Sequence, residues 1–121
     1  MAGMRMVFGL AAAAVAFVSP AMAQAQAIKV AHDAILAGDF HTAERTLDAE
    51  RRIFPKRAEV LLNLAAIYAG TGRWQDAARL YRIVLELPDS LMDLSSDRTA
   101  RAHAIAHAGL LRLRYVQTAA R

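Results

Sequence analysis

Residues 71–81 read Thr-Gly-Arg-Trp-Gln-Asp-Ala-Ala-Arg-Leu-Tyr, and residues 37–47 read Ala-Gly-Asp-Phe-His-Thr-Ala-Glu-Arg-Thr-Leu. When the two stretches are aligned, a glycine, an aromatic residue, an alanine and a bulky residue recur 34 positions apart. These pairs are Gly38 and Gly72, Phe40 and Trp74, Ala43 and Ala77, and Leu47 and Tyr81. Self-similarity at one fixed period is typical of a repeat architecture, in which each repeat is one supersecondary unit.

The apolar spacing around the repeats indicates helices. The helix before Gly72 has apolar residues at the spacing of one helical face: Leu61, Leu64, Ala65 and Tyr68. Gly72 suits the left-handed residue that follows a helix end. A second apolar stripe begins at Trp74 and stops at Pro88. The first unit repeats this with a helix over about 26–37, Gly38, and a second helix that ends before Pro55. Each unit is therefore predicted to be a helix–turn–helix pair.

Length and composition limit the class of protein. A chain of 121 residues with 56% hydrophobic and 21% charged residues has room for one small folded domain. Alanine is abundant and β-branched residues are sparse, which favours an all-α fold. The chain has no cysteine, which excludes disulfides, thiolate metal sites and a cysteine nucleophile.

Residues 1–23 have the pattern of a secretory signal peptide. Arg5 precedes an unbroken apolar run over 7–18, and Ser19-Pro20 interrupts the run. Ala21-Met22-Ala23 then has the small-x-small form of a cleavage site, which predicts cleavage after Ala23, or after Ala25 at a second such site. The alternative is an uncleaved membrane anchor, although a span needs about 20 apolar residues. Export and the excess of arginine predict a bacterial periplasmic or secreted protein with no integral membrane span after cleavage.

The second unit resembles a tetratricopeptide repeat. Leu61-x-x-Leu64-Ala65-x-x-Tyr68, followed by Ala77-x-x-x-Tyr81 and Pro88, matches the family pattern Trp-x2-Leu-Gly-x2-Tyr, Ala-x3-Phe and Pro, with Leu61 for Trp and Ala65 for Gly. The resemblance covers residues 24–89 and implies two repeats, about 24–57 and 58–89, in a right-handed α-solenoid fragment. It also implies a non-catalytic scaffold that binds another protein or a peptide.

The stretch 49–55, Ala-Glu-Arg-Arg-Ile-Phe-Pro, followed by Leu-Leu-Asn-Leu-Ala at 61–65, is similar to small exported tetratricopeptide-repeat proteins of α-proteobacteria.

In this family the first helix of each repeat lines the concave, partner-binding surface. The resemblance therefore implies six partner-binding positions: Lys29, His32, Leu36, Glu59, Asn63 and Ala66. Lys29 and Asn63 are 34 apart and resemble part of the carboxylate-binding clamp of some family members. The alternative is that these positions are ordinary polar surface.

The periodicity ends after Pro88. Residues 90–96 are predicted to be a linker loop in which Leu91, Met92 and Leu94 pack over the end of the core, or alternatively contact a partner. A capping helix is predicted over 97–121, and the candidate N-caps are Ser95, Ser96 and Asp97. Such a helix would supply a third layer to a short repeat stack.

The residues give little sign of catalysis. His103 and His107 have the i, i+4 spacing that can hold one metal ion, but no third ligand is apparent, so they are only weak metal candidates. No triad, phosphate loop or nucleic-acid-binding pattern is found. The sequence therefore predicts an exported adaptor that is not an enzyme, has no cofactor and does not bind nucleic acid. The alternatives are a metal- or haem-responsive binder using His103 and His107, and a structural subunit that forms homo-oligomers.

Overall fold

The computed structural model describes residues 19–95 and 98–119. Within these residues the protein has five helices and one two-stranded antiparallel sheet. The elements run in the order α1 (Pro20–Leu36), α2 (Phe40–Ile53), α3 (Ala58–Gly70), α4 (Trp74–Glu86), β1 (Leu91–Ser95), β2 (Arg98–Arg101) and α5 (Ala102–Ala119). The all-α prediction is confirmed, with the small sheet as an addition to it.

Two helical hairpins, α1–α2 and α3–α4, correspond to the two repeats. Their turns have the same backbone hydrogen bonds at positions 34 apart. Gly38 N donates to Ile35 O and Asp39 N to Ala34 O, while Gly72 N donates to Ala69 O and Arg73 N to Tyr68 O. This is the paired bonding that closes a helix at a left-handed residue. The φ angles of Gly38 and Gly72 are +77° and +80°, as the sequence predicts for these two glycines.

The core contains the predicted alanines and the larger apolar residues beside them. Ala31, Ala43, Ala65 and Ala77 have no exposed surface. Small side chains at these positions let helix backbones approach closely, and larger residues fill the remaining volume. The largest fully buried side chains come from α2, α3 and α4: Leu47, Val60, Leu61, Leu64, Ile67, Leu80 and Val84.

Helix α5 packs mainly on α4 and also touches α3. Its buried residues lie along one face of the helix: Ala102, Ala106, Gly109 and Leu113. Gly109 lies against the ring of Tyr81, so closely that a Cβ atom there would overlap the ring. The close approach of α5 to α4 therefore depends on a residue without a side chain.

The start of α1 differs from the prediction. The helix begins at Pro20, not near Gln26, and includes the last residues of the predicted signal segment 1–23. Proline suits the first turn of a helix because its missing N–H has no helical partner there. Ser19 caps the helix, with Met22 N donating to its Oγ at 3.3 Å. Ser19-Pro20 thus begins a helix. Residues 1–18 lie outside the described part of the chain.

The predicted linker loop 90–96 is corrected by the structure. Strands β1 and β2 form an antiparallel hairpin in which Leu91 pairs with Arg101 and Met92 with Ala100. Pairing satisfies backbone donors and acceptors that a loop would leave to solvent. Met92 packs against the core as predicted, but Leu91 is 65% exposed, so that part of the prediction is wrong.

The capping helix begins at Ala102, not at Asp97. Because β2 occupies Arg98–Arg101, the predicted N-caps Ser95, Ser96 and Asp97 precede the helix by several residues. Ser96 and Asp97 themselves lie outside the described residues. The backbone N–H groups in the first turn of α5 donate instead to residues that follow α4. His103 N donates to Asp89 Oδ1 at 3.0 Å, and Ala102 N donates to Ser90 O at 2.8 Å.

Candidate functional site

The three α1 positions implied as partner-binding lie on one face of the helix and are exposed. Leu36, at the end of α1, is 74% exposed. Lys29 Nζ lies 2.9 Å from Asp33 Oδ2, and His32 Nδ1 lies 3.8 Å from the other oxygen of the same carboxylate. The hydrogen bond and charge of Lys29 lower the pKa of Asp33. An incoming carboxylate would therefore compete with Asp33 for Lys29.

The three α3 positions implied as partner-binding differ in their exposure. Ala66 is exposed, whereas Glu59 and Asn63 are half-buried. Glu59 lines a small cleft of about 230 Å³ together with Arg57 and residues of β1, including Asp93. Burial raises the pKa of the Glu59 carboxyl; Arg57 opposes that rise and Asp93 adds to it. The β-hairpin thus supplies a neighbour of Glu59 that sequence reasoning did not predict.

Helix α1 does not lie closely against α3, whereas α2 contacts both of these helices. The six positions Lys29, His32, Leu36, Glu59, Asn63 and Ala66 are named here the first-helix positions. They comprise one exposed row on α1 and one partly covered row on α3.

The two histidines of α5 have different surroundings. His103 Nε2 lies 2.6 Å from the carbonyl oxygen of Leu87. Since a carbonyl only accepts, Nε2 carries the proton and donates it. That nitrogen then has no lone pair for a metal ion. His107 is exposed, and the described residues contain no group of three or more His, Cys, Asp or Glu side chains that could hold a metal.

A groove with a volume of about 960 Å³ lies between α4 and α5. We call it the α4–α5 groove. Its apolar residues are Ala78, Ile83, Leu110, Leu111 and Leu113. Its polar and charged residues are Gln75, Arg79, Arg82, Glu86, His107, Arg114 and Gln117. The sequence does not predict this groove.

Arginine dominates the charge of the α4–α5 groove, which has three arginines and one glutamate. Arg79 Nη1 lies 3.5 Å from Asp76 Oδ1, with both side chains largely exposed, so this ion pair is weak. Arg82 and Arg114 form no ion pair with a carboxylate of the described residues. The groove therefore combines apolar surface with cationic groups that an anionic ligand can reach.

In the part of the chain that the structure describes, no helix has both the length and the apolar character needed to cross a membrane.

Comparison of the chain with models of known protein families, with curated proteins and with solved structures finds no match in any of the three.

Proposed function

We propose that the chain is an exported tetratricopeptide-repeat adaptor that is not an enzyme and that binds another protein or a peptide along its first-helix positions. The observation that carries this proposal is the exposed row on α1, where a 74% exposed leucine ends a line of polar side chains. Such a row offers a partner both an apolar contact and polar hydrogen-bonding groups, the two kinds of contact that protein interfaces combine.

The repeated turn geometry supports the same proposal. Both hairpins close through matching hydrogen bonds at Gly38 and Gly72, so their first helices end at corresponding points, Leu36 and Gly70. Lys29 and Asn63, 34 residues apart, occupy corresponding places on these helices. A partner in extended or helical form could then contact equivalent positions in turn, as repeat scaffolds do.

Loss of binding on substitution tests the proposal. The mature chain and a Lys29→Ala/Asn63→Ala variant would each be used to capture partners from envelope extract. We expect a partner that the wild-type protein retains and the double variant loses, with helicity by circular dichroism unchanged. A matched control is Arg45→Ala/Lys56→Ala, which alters exposed residues away from these positions. Equal loss from both variants, or from neither, would move the binding site elsewhere.

A further inference from the structure

Within residues 19–95 and 98–119, the packing of α5 leaves apolar surface of the α4–α5 groove exposed. Helix α5 packs mainly on α4 and also on α3. Leu111, which lines the groove, is 57% exposed. The groove thus has apolar surface that the described helices leave unburied.

The groove has the dimensions of a helix-binding site. Its α4 wall runs from Gln75 to Glu86 and its α5 wall from His107 to Gln117. At 1.5 Å of rise per residue, each wall is roughly 15 Å long, or about three helical turns. A groove of that length accepts one apolar face of an amphipathic helix, whose anchors recur every three to four residues.

Two of the three arginines of the groove lie near one end of it. Gln75 and Gln117 line the same cleft, so the start of α4 lies beside the end of α5. Arg79 and Arg114 are each within about one turn of that end, and Arg82 follows along α4. Glu86 lies toward the opposite end. Guanidinium groups bind carboxylates through paired hydrogen bonds, which favours an acidic ligand here.

We propose that the α4–α5 groove binds an amphipathic helix of another protein, whose apolar stripe lies on Leu110 and Leu111 and whose flanking Glu or Asp side chains pair with Arg79, Arg82 and Arg114. This site is separate from the first-helix positions and does not depend on them.

Charge complementarity disfavours binding of the groove to residues 1–18 of this chain or to α5 of a second copy. Residues 1–18 contain no acidic side chain, and their only charged side chain is that of Arg5. A second copy of α5 would bring its own Arg112 and Arg114 against the groove, where like charges repel. An acidic helix from another protein meets neither obstacle.

A displayed library tests the proposal directly. Peptides of about 18 residues, long enough to form a helix on binding, would have a fixed apolar stripe and flanking positions drawn equally from Glu, Gln and Lys. Selection on the purified chain should enrich Glu over Lys by about tenfold, which corresponds to about 1.4 kcal/mol. The charge-reversed variant Arg79→Glu/Arg82→Glu/Arg114→Glu should instead enrich Lys.

Four further variants keep the test informative. Arg45→Glu/Arg52→Glu on α2 makes a similar change of charge away from the groove and should retain the preference for Glu. If the triple variant does not fold, Arg82→Gln/Arg114→Gln should still weaken the selection of Glu-containing peptides. Leu111→Ser should weaken the selection of all peptides, whatever their flanking charge. Lys29→Ala/Asn63→Ala should have no effect on the selection of peptides. A negative result for the groove can therefore be distinguished from a negative result for the first-helix positions.

Several results would overturn the proposal. One is enrichment without charge preference, or a preference that the triple variant leaves unchanged. Another is self-association of the purified chain that Leu111→Ser abolishes, which would assign the groove to a second copy. A third is binding to phosphatidylglycerol vesicles, lost in the triple variant, with no peptide selected; the groove would then be a membrane contact.

Discussion

The guanidinium of Arg73 holds the carboxylate of Glu44 through two hydrogen bonds of 2.7 Å each, from Nη1 to Oε1 and from Nη2 to Oε2. Glu44 belongs to α2 and Arg73 immediately precedes α4, so this pair joins the two hairpins. Arg73 is positioned further by the ring of Tyr68, 4.4 Å from its guanidinium carbon, and by a 3.1 Å hydrogen bond from Nε to Thr71 Oγ1. The alignment of the repeats is thus fixed by charge as well as by apolar packing.

Replacing Glu44 by Gln should lower the free energy of unfolding by about 0.5–1 kcal/mol at neutral pH, a value limited by the partial exposure of both side chains. The hydrogen bonds from Arg73 lower the pKa of Glu44 below its ordinary 4.5. The stabilisation is therefore present above about pH 4.5 and is lost as the pH falls through the folded-state pKa. Urea melts across this range measure the difference. A double-mutant cycle with Arg73→Gln isolates the pair, and a difference between the proteins that stays constant at low pH would contradict it.

Gly109→Ala should destabilise the fold by about 1–3 kcal/mol, although alanine normally favours a helix interior, because the added Cβ would overlap the Tyr81 ring. Thermal or urea melts give the value. Gly70→Ala is the matched control, since a Cβ there meets open space and its effect should be neutral or slightly stabilising. Adding Tyr81→Leu to Gly109→Ala should cost less than the sum of the single changes. Strict additivity would show that the contact does not limit packing.

Glu59→Gln should change the free energy of unfolding in the opposite direction to Glu44→Gln. Because burial raises the pKa of Glu59, its charged form is disfavoured in the folded state at neutral pH. Removing the charge should raise stability above the folded-state pKa, and the gain should disappear as the pH falls below the ordinary value of 4.5, where both states are protonated. Urea midpoints at pH 7 and pH 4 test this, and a loss of stability at pH 7 would show that the charge is well solvated.

His103→Ala should cost about 0.5–1.5 kcal/mol, because the Leu87 carbonyl loses the donor that ties the end of α4 to the start of α5. His107→Ala, one turn further along α5 and exposed, serves as the control and should change stability by less than about 0.5 kcal/mol. Melting temperatures would be measured with and without zinc. A zinc-dependent rise in the wild-type protein that both substitutions remove would support metal binding instead of a structural role.

The sequence predicted the hairpins well because their determinants are local. Gly38 and Gly72 adopt the left-handed conformation that the pattern required, and Ala43 and Ala77 are fully buried. These features depend on turn geometry and on helical spacing, which a single sequence displays. The start of α1 was missed because Pro20 was interpreted as a helix breaker, whereas proline is favoured in a first turn.

The β-hairpin and the α4–α5 groove could not be predicted in the same way. Strand pairing between Leu91 and Arg101 joins residues of a short segment whose alternation is weak, and Asp89 caps α5 from 14 positions away. The groove depends on which side of α5 faces α4, and therefore on the fit of Gly109 against Tyr81. Of the candidate site, the sequence did not predict the pairing of Lys29 with Asp33.

Site-specific photocrosslinking in living cells tests most directly whether a partner binds along α1 and α3. A photoreactive amino acid would be placed at Leu36, at Ala66 and, as a control, at Arg45; all three positions are exposed. The account predicts that Leu36 and Ala66 crosslink to the same protein, that His32→Glu weakens both crosslinks, and that Arg45 gives none. Crosslinks to that protein from Arg45 alone, or no crosslink from Leu36 and Ala66, would contradict it.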